Sequence, residues 1–261
     1  MVIMDLKNNH PTPLYHLIYI VLRDKILRGI YPKGSNIPSE NELVKEYSVS
    51  RITARRSLEN LSRDGLVTRH RGRGTIVTYD MPVTAAKSGG MEDLMDNLLM
   101  IAQETKVKIL DFSYIEADAE LKSVFQLQEE DNHTLQKTVR VRYQNKAPFS
   151  YVVAHVPEEI GRCYKKKDLS HKPLLALIEQ AEIKISHASQ TITAVAADNK
   201  LSDLLQINIG SPALEVTRIV YDADEAPVQY IKIFYRPDKY QFQMRLSRVS
   251  GKKSNFWQSD S

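Results

Sequence analysis

Two closely spaced helix starts constrain the fold of residues 38–75, whose sequence is PSENELVKEYSVSRITARRSLENLSRDGLVTRHRGRGT. Ser39 lies three residues before Glu42, which is the spacing of a capping box and predicts the start of a short helix. Ser50 can accept an amide hydrogen from the first turn of a following helix, which is predicted from residue 51 to about residue 63. The segment is therefore predicted to contain two helices joined by a short turn.

Further elements are predicted on both sides of this helix pair. Apolar residues recur at three- and four-residue spacing from Leu14 to Leu27, a pattern typical of an amphipathic helix, and Gly29 suits its C-terminal cap. Gly65 ends the last helix, and the residues LVTRHRGRGTIV that follow it predict two short strands with a turn at residues 71–73. Three helices followed by such a hairpin indicate a winged helix-turn-helix.

The third predicted helix has an apolar face and an opposite basic face, because successive residues turn by about 100°. The apolar face comprises Ala54, Leu58 and Leu61. The opposite side comprises Arg51, Ile52, Arg55, Arg56 and Arg63. Ile52 is apolar but projects with the arginines, and contact with a thymine methyl group in a DNA groove would explain its place. The positive N-terminus of the helix would add attraction for phosphate.

The distribution of charge separates the N-terminal third from the rest. Residues 1–80 hold 13 Lys and Arg against 8 Asp and Glu, whereas the remaining residues hold 23 against 24. A cationic excess in one part of the chain is expected of a small nucleic-acid-binding module joined to a larger domain with another task. On charge alone, a solvated basic surface is an equally good interpretation.

Composition limits the class of protein. The 261 residues are 42% hydrophobic and 26% charged, which is typical of a soluble globular protein, and no apolar run approaches the roughly 20 residues of a membrane span. The N-terminus lacks the layout of a secretory signal. The single cysteine, Cys163, fits a reducing compartment. We therefore expect a cytoplasmic protein of two domains without a membrane partner.

The N-terminal motifs resemble the DNA-binding domain of the GntR family of bacterial transcription regulators. The resemblance covers about residues 13–77 and rests on motifs in register: PSE at 38–40, EL at 42–43, VSR at 49–51, TAR at 53–55, GL at 65–66 and GRGT at 72–75. It implies contacts with a double-stranded DNA operator. The implied DNA-binding residues are Ser39, Ser50, Arg51, Ile52, Thr53, Arg55, Arg71, Gly72, Arg73 and Thr75. Asn41 departs from relatives that carry a base-contacting Arg there, so the operator sequence stays open.

The rest of the chain is predicted to form a second, larger domain. Residues 79–90, YDMPVTAAKSGG, contain proline and glycine and are predicted as a linker between domains at 1–78 and 91–249. Residues 250–261 are predicted as a mobile tail. A helix is expected from about residue 91, and strands are predicted around 107–117, 134–143, 148–156, 184–195, 213–222 and 227–236, with helical pieces near 118–125, 172–181 and 198–205. This mixture favours an α+β domain with a mainly antiparallel sheet.

The second domain is similar to the UTRA effector domain, which defines the HutC branch of the GntR family and shares its fold with chorismate lyase. The likeness covers about residues 105–246. It rests on the motifs LQKTVRVRYQNKAPFSYVVAHVP, ISHASQTITAVAAD and GSPALEVTRIVYDADEAPVQYIKIFYRPDKYQFQM. The resemblance implies a two-domain α+β protein in which a winged helix-turn-helix precedes an effector-binding domain.

One candidate ligand site lies on the predicted strand at residues 134–143. Arg140 and Arg142 leave the same face of that strand, because side chains alternate. Paired guanidinium groups can bind a carboxylate or a phosphate in a bidentate manner, although a solvent-facing row of charges would give the same pattern. The resemblance favours an effector site, since sugar-phosphate-responsive UTRA proteins use an Arg-x-Arg at the matching position.

Other candidate ligand-binding residues follow from the resemblance. Ser150, Gln229 and Tyr235 match positions of the family's pocket. Val152 and Gln229 stand where amino-sugar-binding members carry carboxylates, so an organic acid fits at least as well as a phosphorylated sugar. A further anion site is predicted where bare amides precede the helix near residue 91, although a flexible linker explains the same residues equally well. That site comprises Ser88, Gly89 and Gly90.

The resemblance implies an effector-responsive transcription regulator of a family whose members are usually repressors, and we expect it to act as a homodimer on a roughly palindromic operator. We expect no catalytic residues, metal ligands or cofactor, because the seven histidines show no metal-ligand spacing. Two alternatives stay open: a lyase-like enzyme with a tethered DNA-binding module, and an architectural DNA binder without a ligand. The identity of the effector and the sign of its effect on DNA binding also stay open.

Overall fold

The computed structural model describes residues 12–70, 72–80, 85–86, 91–130, 132–242, 246–250 and 255–259. The chain divides into two compact units, residues 1–81 and 82–261. We call the first unit the head and the second unit the sheet domain.

The head consists of three helices and a three-stranded sheet. The helices are α1 (Leu14–Leu27), α2 (Glu40–Tyr47) and α3 (Arg51–Arg63), and the strands are β1 (Asn36–Ile37), β2 (Val67–His70) and β3 (Gly74–Val77). The strands pair antiparallel in the order β1-β3-β2, so that β2 and β3 form a hairpin behind α3. This arrangement is the winged helix-turn-helix that the sequence predicts.

Local side-chain and backbone hydrogen bonds define where the helices of the head begin and end. Ser39 and Glu42 form a reciprocal capping box at the start of α2, and the Ser50 hydroxyl accepts from the Thr53 amide at the start of α3. Gly29 and Gly65 follow α1 and α3 with φ of 73° and 74°. Their positive φ lets the chain reverse so that the last carbonyls of each helix find amide partners.

The core of the head lies between the three helices and the sheet. The apolar face predicted for α3 is buried, with Ala54 and Leu61 at 0% exposure and Leu58 at 1%. These side chains pack with fully buried residues of α1 and α2, namely Ile18, Leu22 and Leu43. Burial of this face directs the opposite side of α3 toward solvent.

The sheet domain alternates strands and short helices. Its helices are α4 (Met91–Glu104), α5 (Ala119–Val124), α6 (Glu158–Gly161), α7 (Leu174–Gln180) and α8 (Asn199–Leu205), with a 3-10 helix at Asp168–Ser170. Its strands are β4 (Ala85–Ala86), β5 (Lys106–Glu116), β6 (Thr134–Gln144), β7 (Ala147–Pro157), β8 (Ile185–Ala196), β9 (Pro212–Asp222), β10 (Pro227–Tyr235), β11 (Gln241–Phe242), β12 (Leu246–Ser250) and β13 (Asn255–Ser259).

Six of these strands form one antiparallel sheet in the order β5-β6-β7-β10-β9-β8. Helices α4 and α7 contribute to the largest apolar cluster, which covers one face of the sheet. Helices α5 and α8 belong to smaller clusters on the opposite face. Central strand β7 is buried on both faces, which explains its nearly continuous apolar sequence. The predicted mainly antiparallel sheet is confirmed.

A tight turn and a bulge together set the register between β6 and β7. Asn145 and Lys146 have φ of 50° and 67°, and the type I′ turn of a two-residue hairpin requires positive φ at both positions. Beyond the turn, a bulge between Arg142 and Tyr143 shifts the pairing by one residue, which places Arg142 opposite Ser150 and Arg140 opposite Val152. The arginine pair therefore lies alongside Ser150 and Val152 of the next strand.

Short strand pairs occur within the segments that are predicted as linker and tail. Within the predicted linker at 79–90, strand β4 pairs in parallel with β11. Within the predicted tail at 250–261, strand β13 pairs antiparallel with β12. The residues NFWQS of β13 include two aromatic side chains, and aromatic residues favour strands.

Candidate nucleic-acid interface and candidate ligand cavity

The start of α3 presents a basic and partly apolar surface. The Ser50 Oγ lies 3.1 Å from the Thr53 amide nitrogen and 2.9 Å from Thr53 Oγ1, which holds the first turn in place. Arg51 is exposed, and Ile52 is 80% exposed. Arg51 forms no ion pair with any residue that the structure describes. An exposed Ile beside an unpaired Arg can meet a base edge without first leaving another partner.

An ion-pair network connects the exposed side of α3 with the neighbouring elements. The Arg55 Nε lies 2.8 Å from Glu59 Oε1, and this hydrogen bond lowers the pKa of the Glu59 carboxyl. Arg69 of β2 pairs with Glu40 of α2 and approaches the same Glu59 at 3.7 Å. Sequence reasoning missed Arg69, since pairs of this sequence separation carry no local signal. Because these ions are exposed, Arg55 can exchange Glu59 for a phosphate at little cost.

Ser39 is held within its own helix start. Its hydroxyl and its amide both donate to Glu42 Oε2, at 2.7 and 2.8 Å. The predicted DNA-binding Ser39 therefore acts as a helix cap in this structure. A helix start capped in this way still carries the positive end of the helix dipole, which favours a nearby phosphate.

The turn between β2 and β3 forms the tip of the predicted wing. Gly72 has φ of 80°, and a Cβ atom there would meet nothing within 4 Å. Arg73 is exposed, and its amide donates to the His70 carbonyl oxygen at 3.2 Å. Arg71, also predicted to bind DNA, lies outside the described residues.

Thr75, also predicted to bind DNA, is nearly buried. The residue is only 5% exposed, because β3 alternates and turns Thr75 and Val77 toward the head core. Its contact with a duplex stays a prediction.

A cavity lies in the sheet domain between the large sheet and helices α4 and α7. Its volume is about 40 Å³, which is room for a few waters. Its polar lining consists of Arg140, Arg142, Ser150, Arg218, Gln229 and Tyr235. Its apolar lining consists of Leu98, Ile101, Val152, Pro173, Leu174, Leu175, Ile231 and Ile233. The cavity thus brings together five of the predicted effector-binding residues, whereas Ser88, Gly89 and Gly90 lie outside the described residues.

Arg140 is an incompletely paired charge at this cavity. The residue is only 3% exposed, and its Nε and Nη1 have no hydrogen-bond partner among the described residues. Burial, and then the neighbouring charge of Arg142, lower the pKa of Arg140 to about 9. A buried cation without an acceptor is unfavourable, so a bound anion would stabilise it.

Two further arginines share the cavity, and their hydrogen-bond partners among the described residues are neutral. The Arg142 Nη1 donates to Thr105 Oγ1 at 2.9 Å, and Arg218 donates from Nε and Nη2 to Gln190 Oε1 at 2.9 and 2.6 Å. Burial lowers the pKa of both guanidinium groups. The sequence analysis did not identify Arg218 as a cavity residue. The strand alternation could have indicated it, because Arg218 lies between Val216 and Val220 at core-facing positions of β9.

The remaining polar groups of the cavity are nearly excluded from solvent. Ser150 and Gln229 are 1% and 3% exposed, and the Ser150 Oγ has no partner among the described residues. The Tyr235 ring stacks on Tyr240 at a centroid distance of 3.8 Å and meets Phe149 edge-on. Burial raises the pKa of Tyr235. The phenol is thus a neutral hydroxyl that can donate to a bound oxygen atom.

Comparison with known proteins connects both surfaces to one family. Residues 14–77 match the bacterial regulatory proteins of the gntR family, and residues 102–241 match the UTRA domain. The chain belongs to the UTRA-containing GntR family. Its head carries the family's DNA-binding domain, and its cavity lies in the UTRA domain.

Several relatives of this GntR regulator match over nearly their whole length. The HTH-type transcriptional repressor NagR of Bacillus subtilis is 26% identical over 95% of this chain and 100% of its own. The histidine utilization repressor of Pseudomonas putida is 24% identical over 91% of this chain and 94% of its own. These relatives are transcription regulators, so the regulator prediction is confirmed and the enzyme alternative is not supported.

Two solved structures have the same fold. YydK of Bacillus subtilis superimposes with a TM-score of 0.54 and 20% identity, over 90% of this chain and 99% of its own. PhnF of Mycobacterium smegmatis also gives 0.54, with 23% identity over 87% and 97%. Within the described residues, no group of His, Cys, Asp and Glu is arranged to hold a metal ion. No helix in the described ranges is long and apolar enough to span a membrane.

Proposed function

We propose that this GntR regulator represses transcription by binding a palindromic operator as a homodimer, and that a small anionic effector in the UTRA cavity changes its operator affinity. One observation carries the effector part. Three buried arginines surround one cavity, and none of them forms an ion pair with a described carboxylate.

The surface of α3 supports the DNA-binding part. Arg51 and Ile52 project into solvent from the first turn of a helix whose opposite face is the core of the head. This is the arrangement by which a recognition helix enters the major groove. A two-fold dimer would place two such helices on half-sites about 34 Å apart, which is one turn of DNA. The names of the relatives, several of them repressors, support repression.

The energetics of the cavity support an anionic effector. Moving a guanidinium group out of water is costly unless an opposite charge and hydrogen bonds compensate it. Arg140 and Arg142 form no ion pair with a described carboxylate, whereas a bound carboxylate or phosphate matches the guanidinium fork in both charge and geometry. The effector would therefore supply the negative charge and the hydrogen-bond acceptors that these two arginines lack.

The size of the cavity suggests how an effector could alter DNA binding. A metabolite larger than a few waters must displace part of the apolar cover, which consists of side chains of α4, including Leu98 and Ile101, and of α7. Along the chain, α4 is the first helix after the predicted linker at 79–90. A ligand that moves α4 can bias the arrangement of the heads, provided that it binds the two arrangements with unequal affinity.

Selection from a random duplex library tests the DNA-binding part. We expect the wild-type chain to enrich an inverted repeat and the Arg51→Ala variant to bind it about 10- to 100-fold more weakly at matched salt. Arg28→Ala is the control, since Arg28 is an exposed arginine of the head that pairs with Asp24. Failure to enrich any sequence, or wild-type affinity in Arg51→Ala, contradicts the proposal.

Thermal unfolding with candidate effectors tests the second part. Inorganic phosphate, phosphorylated sugars and organic acids are added to the wild type and to an Arg140→Met/Arg142→Met variant. A ligand specific to the folded state raises the Tm in a saturable manner. We expect at least one anion to do so only in the wild type and to change operator affinity. Equal stabilisation of the double variant would place the binding site elsewhere.

A further inference from the structure

We propose that the effector carries two separate anionic groups, one bound by Arg140 and Arg142 and the other bound by Arg218. The proposal rests on the proposed function in one respect, because it takes the UTRA cavity as the effector site. It adds that a single carboxylate or phosphate is not sufficient to fill that site.

The topology of the sheet places Arg218 apart from the arginine pair. Arg140 and Arg142 lie on β6, whereas Arg218 lies on β9, and strands β7 and β10 run between them. Three strand spacings of about 4.8 Å separate the two backbones by roughly 14 Å. All three side chains nevertheless line one cavity, so they enter it from opposite sides.

The electrostatics connect both arginine positions to one phenol. Burial lowers the pKa of all three arginines, and the charge of Arg142 further lowers that of its strand neighbour Arg140. Burial raises the pKa of Tyr235, and the charges of Arg218, Arg142 and Arg140 lower it. Tyr235 lies on β10, between the strand of the arginine pair and the strand of Arg218.

Another arginine of the same domain shows how the fold pairs a buried guanidinium group that has a structural role. Arg236 is 9% exposed, donates to both carboxylate oxygens of Asp238 at 3.0 and 2.7 Å, and reaches the Leu205 carbonyl oxygen at 3.1 Å. Arg218 is 6% exposed and contacts the neutral Gln190 oxygen instead. Gln190 orients Arg218 without neutralising it.

The space between the two arginine positions restricts the chemical class of the effector. Ser150, Gln229 and Tyr235 line the cavity along with the arginines and can bond hydroxyl or carbonyl oxygens. A monoanion would leave one of the two positions uncompensated in a closed site. We therefore infer a compact dianion, either a dicarboxylate or a phosphorylated acid, with polar groups between its ends.

The first experiment needs no ligand and compares Arg218→Met with Arg236→Met in the full chain. We expect Arg218→Met to raise the Tm of the ligand-free protein by about 2–4 °C, since it removes a buried uncompensated charge and preserves most of the volume. We expect Arg236→Met to lower the Tm, because Asp238 loses its guanidinium partner. An unchanged or lowered Tm for Arg218→Met means that Arg218 has a structural role and overturns the proposal.

The second experiment compares matched anions by calorimetry. Succinate, glutarate and adipate are tested against butyrate, valerate and caproate, and phosphoglycerate against glycerol phosphate. We expect at least one compound with two anionic groups to bind the wild type at least about tenfold more tightly than its partner with one. In Arg218→Met, this preference should disappear.

The outcomes separate this proposal from the proposed function. If compounds with one anionic group bind as tightly as their partners and lose affinity only in Arg140→Met/Arg142→Met, the second anionic group is refuted and the effector site stands. If none of these compounds, nor inorganic phosphate, binds the wild type better than an Arg140→Met/Arg142→Met/Arg218→Met variant, the cavity is not an anion site and both proposals fail.

Discussion

The head exposes its arginines and pairs some of them with surface acids, whereas the sheet domain encloses three arginines that pair with no described acid. The side chains of Arg55 and Arg69 are 65% and 36% exposed, and both contact Glu59. Arg140 and Arg218 are 3% and 6% exposed. An exposed guanidinium group is hydrated and can exchange partners freely, but a buried one destabilises the fold until an anion arrives.

This difference suits two kinds of anion recognition. A DNA duplex presents many phosphates to an open surface, and each contact adds a modest, salt-dependent term to the binding free energy. A metabolite offers few groups, so a closed site must obtain more from each one by excluding water. Under the proposed function, the same residue type would support both modes, because the fold controls its solvation.

The largest loss of stability is expected where a buried arginine forms an ion pair. Arg236→Ala should destabilise the sheet domain by about 3–5 kcal/mol, since it leaves the Asp238 carboxylate, 4% exposed, without its guanidinium partner. Urea unfolding monitored by circular dichroism measures the change. Because the chain has two compact units, the transition of the sheet domain must be followed separately from that of the head.

An exposed pair of the same domain provides the matched control. Arg162 pairs with Glu158 and has a side chain that is 66% exposed. Arg162→Ala should therefore change the unfolding midpoint far less than Arg236→Ala. Equal effects of the two substitutions would show that burial does not distinguish these ion pairs, and the contrast between the two regions would lose its physical basis.

Local signals made the head largely predictable from the sequence. The capping box of Ser39 with Glu42 and the cap of Ser50 on Thr53 span three residues each, so their spacing is readable without knowing the fold. Strand alternation likewise identified Arg140 and Arg142 as neighbours on one face. These features depend on geometry within a single helix or strand.

Features that depend on distant pairing were not predictable. Arg218 shares a cavity with Arg140 because of the strand order, in which β7 and β10 lie between β6 and β9. This order differs from the order along the chain. Arg69 contacts Glu40 across 29 residues of sequence. The phase of the alternation in β3, which turns Thr75 inward, was also not read from the sequence. Each of these outcomes depends on tertiary packing rather than local propensity.

A second test of the contrast uses a buried histidine of the sheet domain. His155 is 9% exposed, and its Nδ1 has no partner among the described residues. Burial, and then the charge of Lys137, lower its pKa from 6.5 to about 4; Lys232 also lowers it, while Asp118 and Glu120 raise it. Between pH 6.5 and 4, the unfolded chain therefore binds a proton that the folded chain does not.

Stability of the sheet domain should thus fall by about 2–3 kcal/mol as the pH decreases through this window. His155→Phe can keep the stacking on Tyr230 and should remove this part of the decline. Urea unfolding at pH 7 and at pH 4.5 measures both. An equally steep decline in the variant would assign the acid sensitivity to other groups.

The smallest expected effect on stability is in the head, at the tip of the wing. Arg73 is exposed and pairs with no described acid, so Arg73→Ala should leave the Tm of the head nearly unchanged. Its effect should be on DNA binding instead.

If Arg73 contacts one phosphate, the slope of log K against log salt should become shallower by about one. Arg28→Ala removes the same charge from the residue that follows α1 and should leave the slope closer to the wild-type value. If both substitutions change the slope equally, only the net charge of the head matters, and the wing has no specific contact with the duplex.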